Sequence, residues 1–389
     1  MLTRLEIDNF RCFEGFVWEP AQKQLILGAN GCGKSSMMDA LANLRRFVAG
    51  DARVEELFPL RERTKWLDRA EQRFSLHAEI NDVRYCYRLV IGTAGEPSKP
   101  VVLSETLDCG DGALRVTFEG GEVTVGRPDP EFSYGLDGSR SAISSLGESG
   151  VALLAIRFRR WMRTVCFFRL NPFTMDSRAE GDEADPNVDL SNFAAWYRSL
   201  YQSYPKRAQV LFKSLEQTLD GFDSIALQDA AEGVRLLNVL FKSDWTKRFL
   251  SSDLPDRTTS IGRLTKAWMP LSFRFTELSE GQRCLICLYT ILHFVVVEGR
   301  TVMIDEPENF VSLREIQPWL TAAEGVVEDA QGQLILMSHH PEFIDQWASP
   351  YGVKLVRDGA GPVRVKPWIG DAESKLSASE LVARGWDDD

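Results

Sequence analysis

The sequence is poor in the features that mark secreted and membrane-bound chains. Seven cysteines in 389 residues, an odd number, provide no disulfide framework. Cys284 and Cys287 have C-x-x-C spacing, but no second pair and no nearby histidine completes a metal site. Both fall in an apolar helix and read as buried free thiols. No run of apolar residues reaches the length of a membrane span, and Met1-Leu2-Thr3-Arg4-Leu5-Glu6 reads as a first strand rather than a signal peptide. A reducing cytoplasm is the expected setting, with no membrane partner. Internal repeats and sustained heptads are also missing, which excludes a long coiled-coil arm.

A net charge of −11 argues against a surface coated for nonspecific nucleic-acid binding. It leaves room for local basic faces. Arg157, Arg159, Arg160 and Arg163 form one candidate, and Arg61, Arg63, Lys65 and Arg69 another; each also fits an ordinary solvated helix face. The remaining composition, 44% apolar and 26% charged, is that of a folded chain able to bury one large core or two modest ones.

Gly28-Ala29-Asn30-Gly31-Cys32-Gly33-Lys34-Ser35-Ser36 matches G-x-x-x-x-G-K-[ST] at every fixed position. Leu25-Ile26-Leu27 before it reads as a buried strand. Met37, Leu41 and Leu44 after it fall on one helix face. Strand, glycine turn and helix are the context a phosphate-binding loop requires. The glycines let successive N–H groups point inward, and the helix N-terminus adds partial positive charge. Lys34 is expected at the β- and γ-phosphates, and the Ser35 hydroxyl on Mg²⁺.

Thr301-Val302-Met303-Ile304-Asp305-Glu306-Pro307 reads as a buried core strand delivering two carboxylates at its C-terminal tip. Asp305 is expected to hold Mg²⁺ directly or through water, and Glu306 to orient or deprotonate an attacking water. Leu278-Ser279-Glu280-Gly281-Gln282 precedes a helix over 283–297 that is apolar on nearly every side. Its N-terminus offers Ser279 and the Gly281 N–H as an anion site, although Ser and Gly are also common caps. Leu334-Ile335-Leu336-Met337-Ser338-His339-His340 reads as a strand ending in histidine.

The order of these four motifs resembles that of the ATP-binding-cassette ATPases. The resemblance implies ATP and Mg²⁺ as ligands, and an α/β P-loop core with a flanking antiparallel sheet and a helical insertion between the nucleotide motifs. It also implies a head-to-tail dimer, with Ser279, Gly281 and Gln282 meeting the γ-phosphate held by the partner's P-loop. His339 becomes the switch histidine and Glu306 the catalytic carboxylate, while His340 receives no role. Ile7-Asp8-Asn9-Phe10-Arg11-Cys12-Phe13, the Gly-x-Asn-Gly start of the P-loop and Asp305-Glu306-Pro307-Glu308-Asn309 resemble the compact OLD-type and RecF-like ATPases, relatives of the SMC proteins. By that resemblance Arg11 approaches the nucleotide; surface packing is the alternative. Two departures stand out: Asn171 occupies roughly the place of a Q-loop glutamine, and Phe310-Val311-Ser312-Leu313 replaces the usual Leu-His-Pro.

Four segments are expected: 1–125, with P-loop and antiparallel hairpins; 126–270, a mixed, largely helical insertion; 271–357, with the remaining motifs; and a tail, 358–389. Within them, residues 126–150 and 178–189 read as loops, 192–202 and 205–219 as helices, 222–242 as a strand pair and 243–270 as irregular. The tail is too short for the metal-dependent nuclease that OLD-type proteins often carry. A separately encoded nuclease or toxin, gated by the ATPase in anti-phage defence, is therefore the expected partner. A RecF-like clamp on DNA and an ATP-bound scaffold with little turnover are the alternatives. No Asn-Lys-x-Asp motif appears, which argues against a GTPase.

Overall fold

A computed structural model describes residues 1–95, 98–127, 129–148, 150–242, 270–368 and 376–384. Most of the stretch expected to be irregular, 243–270, lies outside the described residues. The chain opens with β1 (Leu2–Asp8), β2 (Phe16–Trp18), β3 (Lys23–Leu27) and helix α1 (Lys34–Ala49). There follow β4 (Gln72–Ile80), β5 (Val83–Ala94), β6 (Lys99–Cys109), β7 (Leu114–Glu119), β8 (Glu122–Arg127), β9 (Asp129–Gly135) and α2 (Leu153–Thr164). The middle holds β10 (Cys166–Phe168), β11 (Arg178–Glu180), α3 (Phe193–Ser203), α4 (Pro205–Thr218), β12 (Phe222–Ala231) and β13 (Val234–Phe241). The last part holds β14 (Leu271–Arg274), α5 (Glu280–Phe294), β15 (Thr301–Asp305), α6 (Leu313–Ala330), β16 (Gln333–Met337), β17 (Gly352–Arg357), β18 (Val363–Pro367) and α7 (Ala378–Arg384).

These elements form two compact units, one of residues 1–167, 296–306 and 327–389, the other of 168–295 and 307–326. The first contains an eight-stranded sheet, β2-β1-β4-β5-β6-β7-β8-β9, antiparallel at every junction. It also contains a six-stranded sheet in the order β10-β15-β16-β3-β17-β18. There β15, β16, β3 and β17 run parallel, and β18 is antiparallel to β17. Strands β3, β15 and β16 are buried along their whole length, which explains their uninterrupted apolar runs. Strands β4 to β8 alternate instead, placing Leu76, Tyr87, Leu89, Leu107 and Val116 against α1 and α2 in one core. Phe158 of α2 lies 5.7 Å, ring to ring, from both Tyr85 and Tyr87 of β5. Gln333 ties the two sheets together: its Oε1 accepts from Leu2 N, and its Nε2 donates to the Leu2 and Ala21 carbonyls.

The second unit has a sheet in the order β11-β13-β12, with β14 also paired to β13. Helix α5 is its core element: every residue from Arg283 to Leu292 is buried. Over Glu280–Glu298 this stretch is long and apolar enough to cross a membrane by length and composition, and 78% of the window is buried inside the protein. All seven cysteines are free thiols, and burial pushes Cys284 up to about 12.

Two loop expectations fail. Residues 129–135 form β9, because polar side chains suit an exposed edge strand whose backbone pairs with β8. Residues 178–180 form β11 on β13, and Asp189 and Asn192 bind neighbouring backbone N–H groups of Ser191 and Asn187. Backbone pairing supplies order there that an acidic, anchor-poor sequence does not announce. The tail beyond 357 contributes β18 to the six-stranded sheet.

Glu105 of β6 is buried in the first core, where it accepts from Tyr87 Oη (2.9 Å), Ser141 Oγ (2.6 Å) and Ala142 N (2.5 Å). Burial outweighs these bonds and raises its pKa from 4.5 to about 7. The native state therefore binds the proton more tightly than the unfolded chain. This stabilisation is complete below pH 4.5 and is lost as pH rises through about 7. Between pH 5 and 8, wild type should lose about 2–3 kcal/mol of stability relative to Glu105→Gln. Urea unfolding of both proteins at the two pH values checks this; a constant difference would contradict the assigned protonation.

Candidate nucleotide site

The site is built where β3, β15 and β16 end. Although β16 is last of the three in sequence, it lies between the other two in the sheet, so three motifs distant in sequence emerge side by side. Glu306 N donates to the Met337 carbonyl (2.8 Å), and Ser338 N to the Ile26 carbonyl (3.3 Å), extending the ladder to the strand tips.

The loop between β3 and α1 owes its shape to two glycines. Gly28 has φ +146°, and an added Cβ would lie 2.6 Å from Cys32 Sγ and 2.7 Å from the Leu355 carbonyl oxygen. Gly33, at φ +104°, caps α1 from the left-handed region. Lys34 is buried, and its Nζ donates to the Gly28 carbonyl at 2.5 Å. Cys32 is buried, whereas Asn30 and Gly31 stay exposed and Ser36 is half-buried. Ser35 Oγ donates to Asp305 Oδ2 at 3.0 Å. Glu306 has φ +50°, and its Oε1 stands 3.7 Å from His339 Nδ1. His340 Nδ1 accepts from Glu342 N, a capping role at the turn that follows.

Over the loop opens a cleft of about 550 Å³, whose lining includes Asn30, Gly31, Lys34, Ser35, Asp305 and Glu306. Its other wall was only partly legible in the sequence. Arg61, Arg63, Lys65 and Trp66 line it, as does Arg357 at the end of β17. Of the two basic clusters, therefore, the one at 61–65 faces the cleft. Arg159 and Arg163 of the other donate to backbone carbonyls of residues 143, 144, 146 and 49. Arg61, Arg63 and Lys65 form no ion pair among the described residues, and the buried Arg63 Nε has no hydrogen-bond partner. Arg11 also lines the cleft, but its Nε pairs with Glu62 and its Nη1 with Asp39. Alternating basic residues gave a signal for 61–65; nothing in the sequence singled out Trp66 or Arg357.

The Asn-Phe-Arg turn positions that wall. Asn9, at φ +60°, donates from Nδ2 to the Arg69 and Glu71 carbonyls and accepts from Thr64 N. Arg11 N donates to the Glu62 carbonyl at 2.6 Å. Phe10 and Phe13 are fully buried, Phe10 against Phe58 and Phe74.

Ser279, Gly281 and Gln282 belong to the second unit. Ser279 caps α5: its Oγ accepts from Gln282 N, while Gln282 Oε1 accepts from Ser279 N. Gly281 packs so closely on the turn after Asn309 that an added Cβ would lie 2.6 Å from the Phe310 carbonyl oxygen. Asn171 Oδ1 accepts from Phe173 N and so shapes a local turn in the same unit.

The model of the family described as "AAA domain, putative AbiEii toxin, Type IV TA system" matches residues 198–345, and a second, described as "AAA domain", matches 4–44. No curated protein matches the chain in sequence. Among solved structures, an SMC head bound to the C-terminal winged-helix domain of ScpA is similar at a TM-score of 0.53 and 12% identity, over 94% of this chain and 98% of that one. A second is the Smc head domain with an extended coiled coil bound to the C-terminal domain of ScpA derived from Pyrococcus furiosus. It is similar at a TM-score of 0.52 and 9% identity, over 99% of this chain and 98% of that one. The fold is that of an SMC-type head. On that fold, residues 198–345 and 4–44 match models of AAA domains.

Replacing Asn9 by alanine removes three hydrogen bonds to backbone groups at a position with positive φ. The expected loss is about 2–4 kcal/mol, accompanied by faster tryptic cleavage at Arg61, Arg63 and Lys65. Denaturant unfolding and limited proteolysis report the two effects separately.

Proposed function

We propose that this chain is an ATPase that closes as a head-to-tail pair around ATP and Mg²⁺ and, in opening and closing, gates a separate effector in bacterial anti-phage defence. The observation that carries the reading is the convergence of Lys34, Ser35, Asp305, Glu306 and His339 at adjacent strand tips of one unit, with Ser279 on a capped helix of the other.

In this reading Lys34 leaves the Gly28 carbonyl for the β- and γ-phosphate oxygens, which the α1 N-terminus and the Gly31-to-Ser36 backbone also face. Ser35 Oγ and Asp305 Oδ2, 3.0 Å apart, are the oxygens that would hold Mg²⁺. Only one carboxylate is needed when phosphates and water fill the rest, and no cluster of three or more acidic, His or Cys ligands occurs among the described residues. Bound there, Mg²⁺ supplies charge neutralisation at the phosphates. Glu306 accepts the proton of the attacking water, and His339, 3.7 Å away, hydrogen-bonds the γ-phosphate. The partner's Ser279, Gly281 and Gln282 complete the anion site from across the interface. For Gln282 this requires release from its bond to Ser279 N.

Support for a protein effector comes from two neighbours in fold. The SMC heads are described in complex with ScpA, and one matching family model carries a toxin–antitoxin description.

Glu306→Gln should lower ATP turnover by about 10²–10⁴-fold while preserving ATP affinity. Expressed with its native neighbouring genes in ATP and Mg²⁺, the variant should co-purify as a closed pair holding a nuclease or toxin. A bare dimer retaining duplex DNA would favour a repair clamp. A nucleotide-free monomer would overturn the shared-site reading, and wild type as inactive as Glu306→Gln with ATP bound would leave a scaffold.

A further inference from the structure

Among the strand-tip residues, Ser338 is polar yet fully buried, and it does not line the cleft. It follows the last residue of β16, between the strands that end in the P-loop and in Asp305. Its N–H donates to the Ile26 carbonyl of β3 (3.3 Å), and the carbonyl of the preceding Met337 accepts from Glu306 N (2.8 Å). Its Oγ accepts from His340 N at 3.0 Å, which closes a short turn over the intervening His339. A buried N–H or hydroxyl is costly to leave without a partner, so this bond holds the turn firmly.

His339 depends on such a brace. Its side chain is 63% exposed, so packing does not decide where the imidazole points. The direction of the ring is left to the backbone, which is held on both sides of residue 339. The Ser338 hydroxyl holds one side. On the other, Pro341 and the bond from Glu342 N to His340 Nδ1 keep His340 extended, at φ −77° and ψ 135°. Glu306, 3.7 Å from the imidazole, takes its own backbone anchor from Met337, so the two groups are fixed from the same strand end.

We propose that Ser338 is the positioning residue for His339: its hydroxyl fixes the turn that aims the imidazole beside Glu306 and toward the transferred phosphate. The proposal rests on the nucleotide reading above and adds the group on which the histidine's orientation depends. Ser338 itself touches neither the nucleotide nor the attacking water, so its effect falls on turnover and not on ATP affinity. Threonine keeps the hydroxyl acceptor and can replace it. Alanine has no acceptor, and cysteine offers only a weak one in nearly the same shape.

The test is a double-mutant cycle on turnover. ATP hydrolysis and ATP affinity are measured in Mg²⁺ on the full chain for wild type, Ser338→Ala, Ser338→Cys, Ser338→Thr, His339→Ala, and Ser338→Ala combined with His339→Ala. Ser338→Ala and Ser338→Cys should lower kcat roughly 5- to 100-fold with the Kd for ATP unchanged, and Ser338→Thr should recover most of the loss. In the His339→Ala background, Ser338→Ala should cost no more than about 2-fold further, because the group it positions is gone. Circular dichroism confirms that each protein is folded at the assay temperature; if Ser338→Ala is not, Ser338→Cys takes its place in the cycle. An equal fold-loss in both backgrounds overturns the proposal, since Ser338 would then support the fold without acting through His339. So does a loss of ATP affinity that matches the loss in kcat. Full turnover in Ser338→Ala where His339→Ala is slow overturns it too, and leaves the nucleotide reading standing. A wild-type chain that hydrolyses no ATP, or a His339→Ala variant as fast as wild type, sinks the role of His339 and the proposal with it.

Discussion

A polyphosphate can be held only by groups whose charge is already paid for by the fold, and the parallel pairing of β15, β16 and β3 meets that constraint. Inserting β16 between the other two places the P-loop, the Asp305-Glu306 pair and His339 on neighbouring strand ends. The backbone ladder continues to the tips, so these side chains leave rigid positions rather than free loops. The three strands are buried throughout, and their apolar residues fill the middle while Lys23, Gln24, Thr301 and Gln333 stand buried at their starts. In β15 the change from Ile304 to Asp305 brings a carboxylate to the tip while the backbone is still buried, and Glu306 beyond it is half-buried.

The opposite wall is set by a different device. Asn9 and Arg11 adopt positive φ, which turns the chain sharply after β1 and aims their backbone and side-chain groups at residues 62–71. Phe10 and Phe13 anchor the turn in the core. The motif thus acts largely through another segment: it fixes the loop that carries an aromatic ring and three cations, Arg61, Arg63 and Lys65, which form no ion pair among the described residues. Arg11 itself pairs with Asp39 and Glu62 while lining the cleft, as its packing reading expects.

In the second unit, the structure gives Ser279 the cap of α5, one of its two sequence readings. The hydroxyl that caps α5 sits at the N-terminus of a helix whose interior is buried for most of its length. That burial makes the helix end a fixed point, and the Gly281 contact with the Phe310 carbonyl joins it to the turn beyond Glu308-Asn309.

By itself the sequence determined what depends on local chemistry. Glycines at forced conformations, a lysine and serine at fixed spacing, continuous apolar runs ending in carboxylates and alternating hairpins each have a physical reason within a few residues. They were enough to place the glycine turn between β3 and α1, the core strands and helix α5. Tertiary structure alone decided what depends on long-range pairing. It ordered 129–135 and 178–180 through backbone bonds blind to side-chain type, and placed β16 between β15 and β3. It also brought Trp66 to within 5.8 Å of Arg357 across 290 positions of chain. No periodicity records such a meeting, because it is fixed by sheet order and not by the residues on either side.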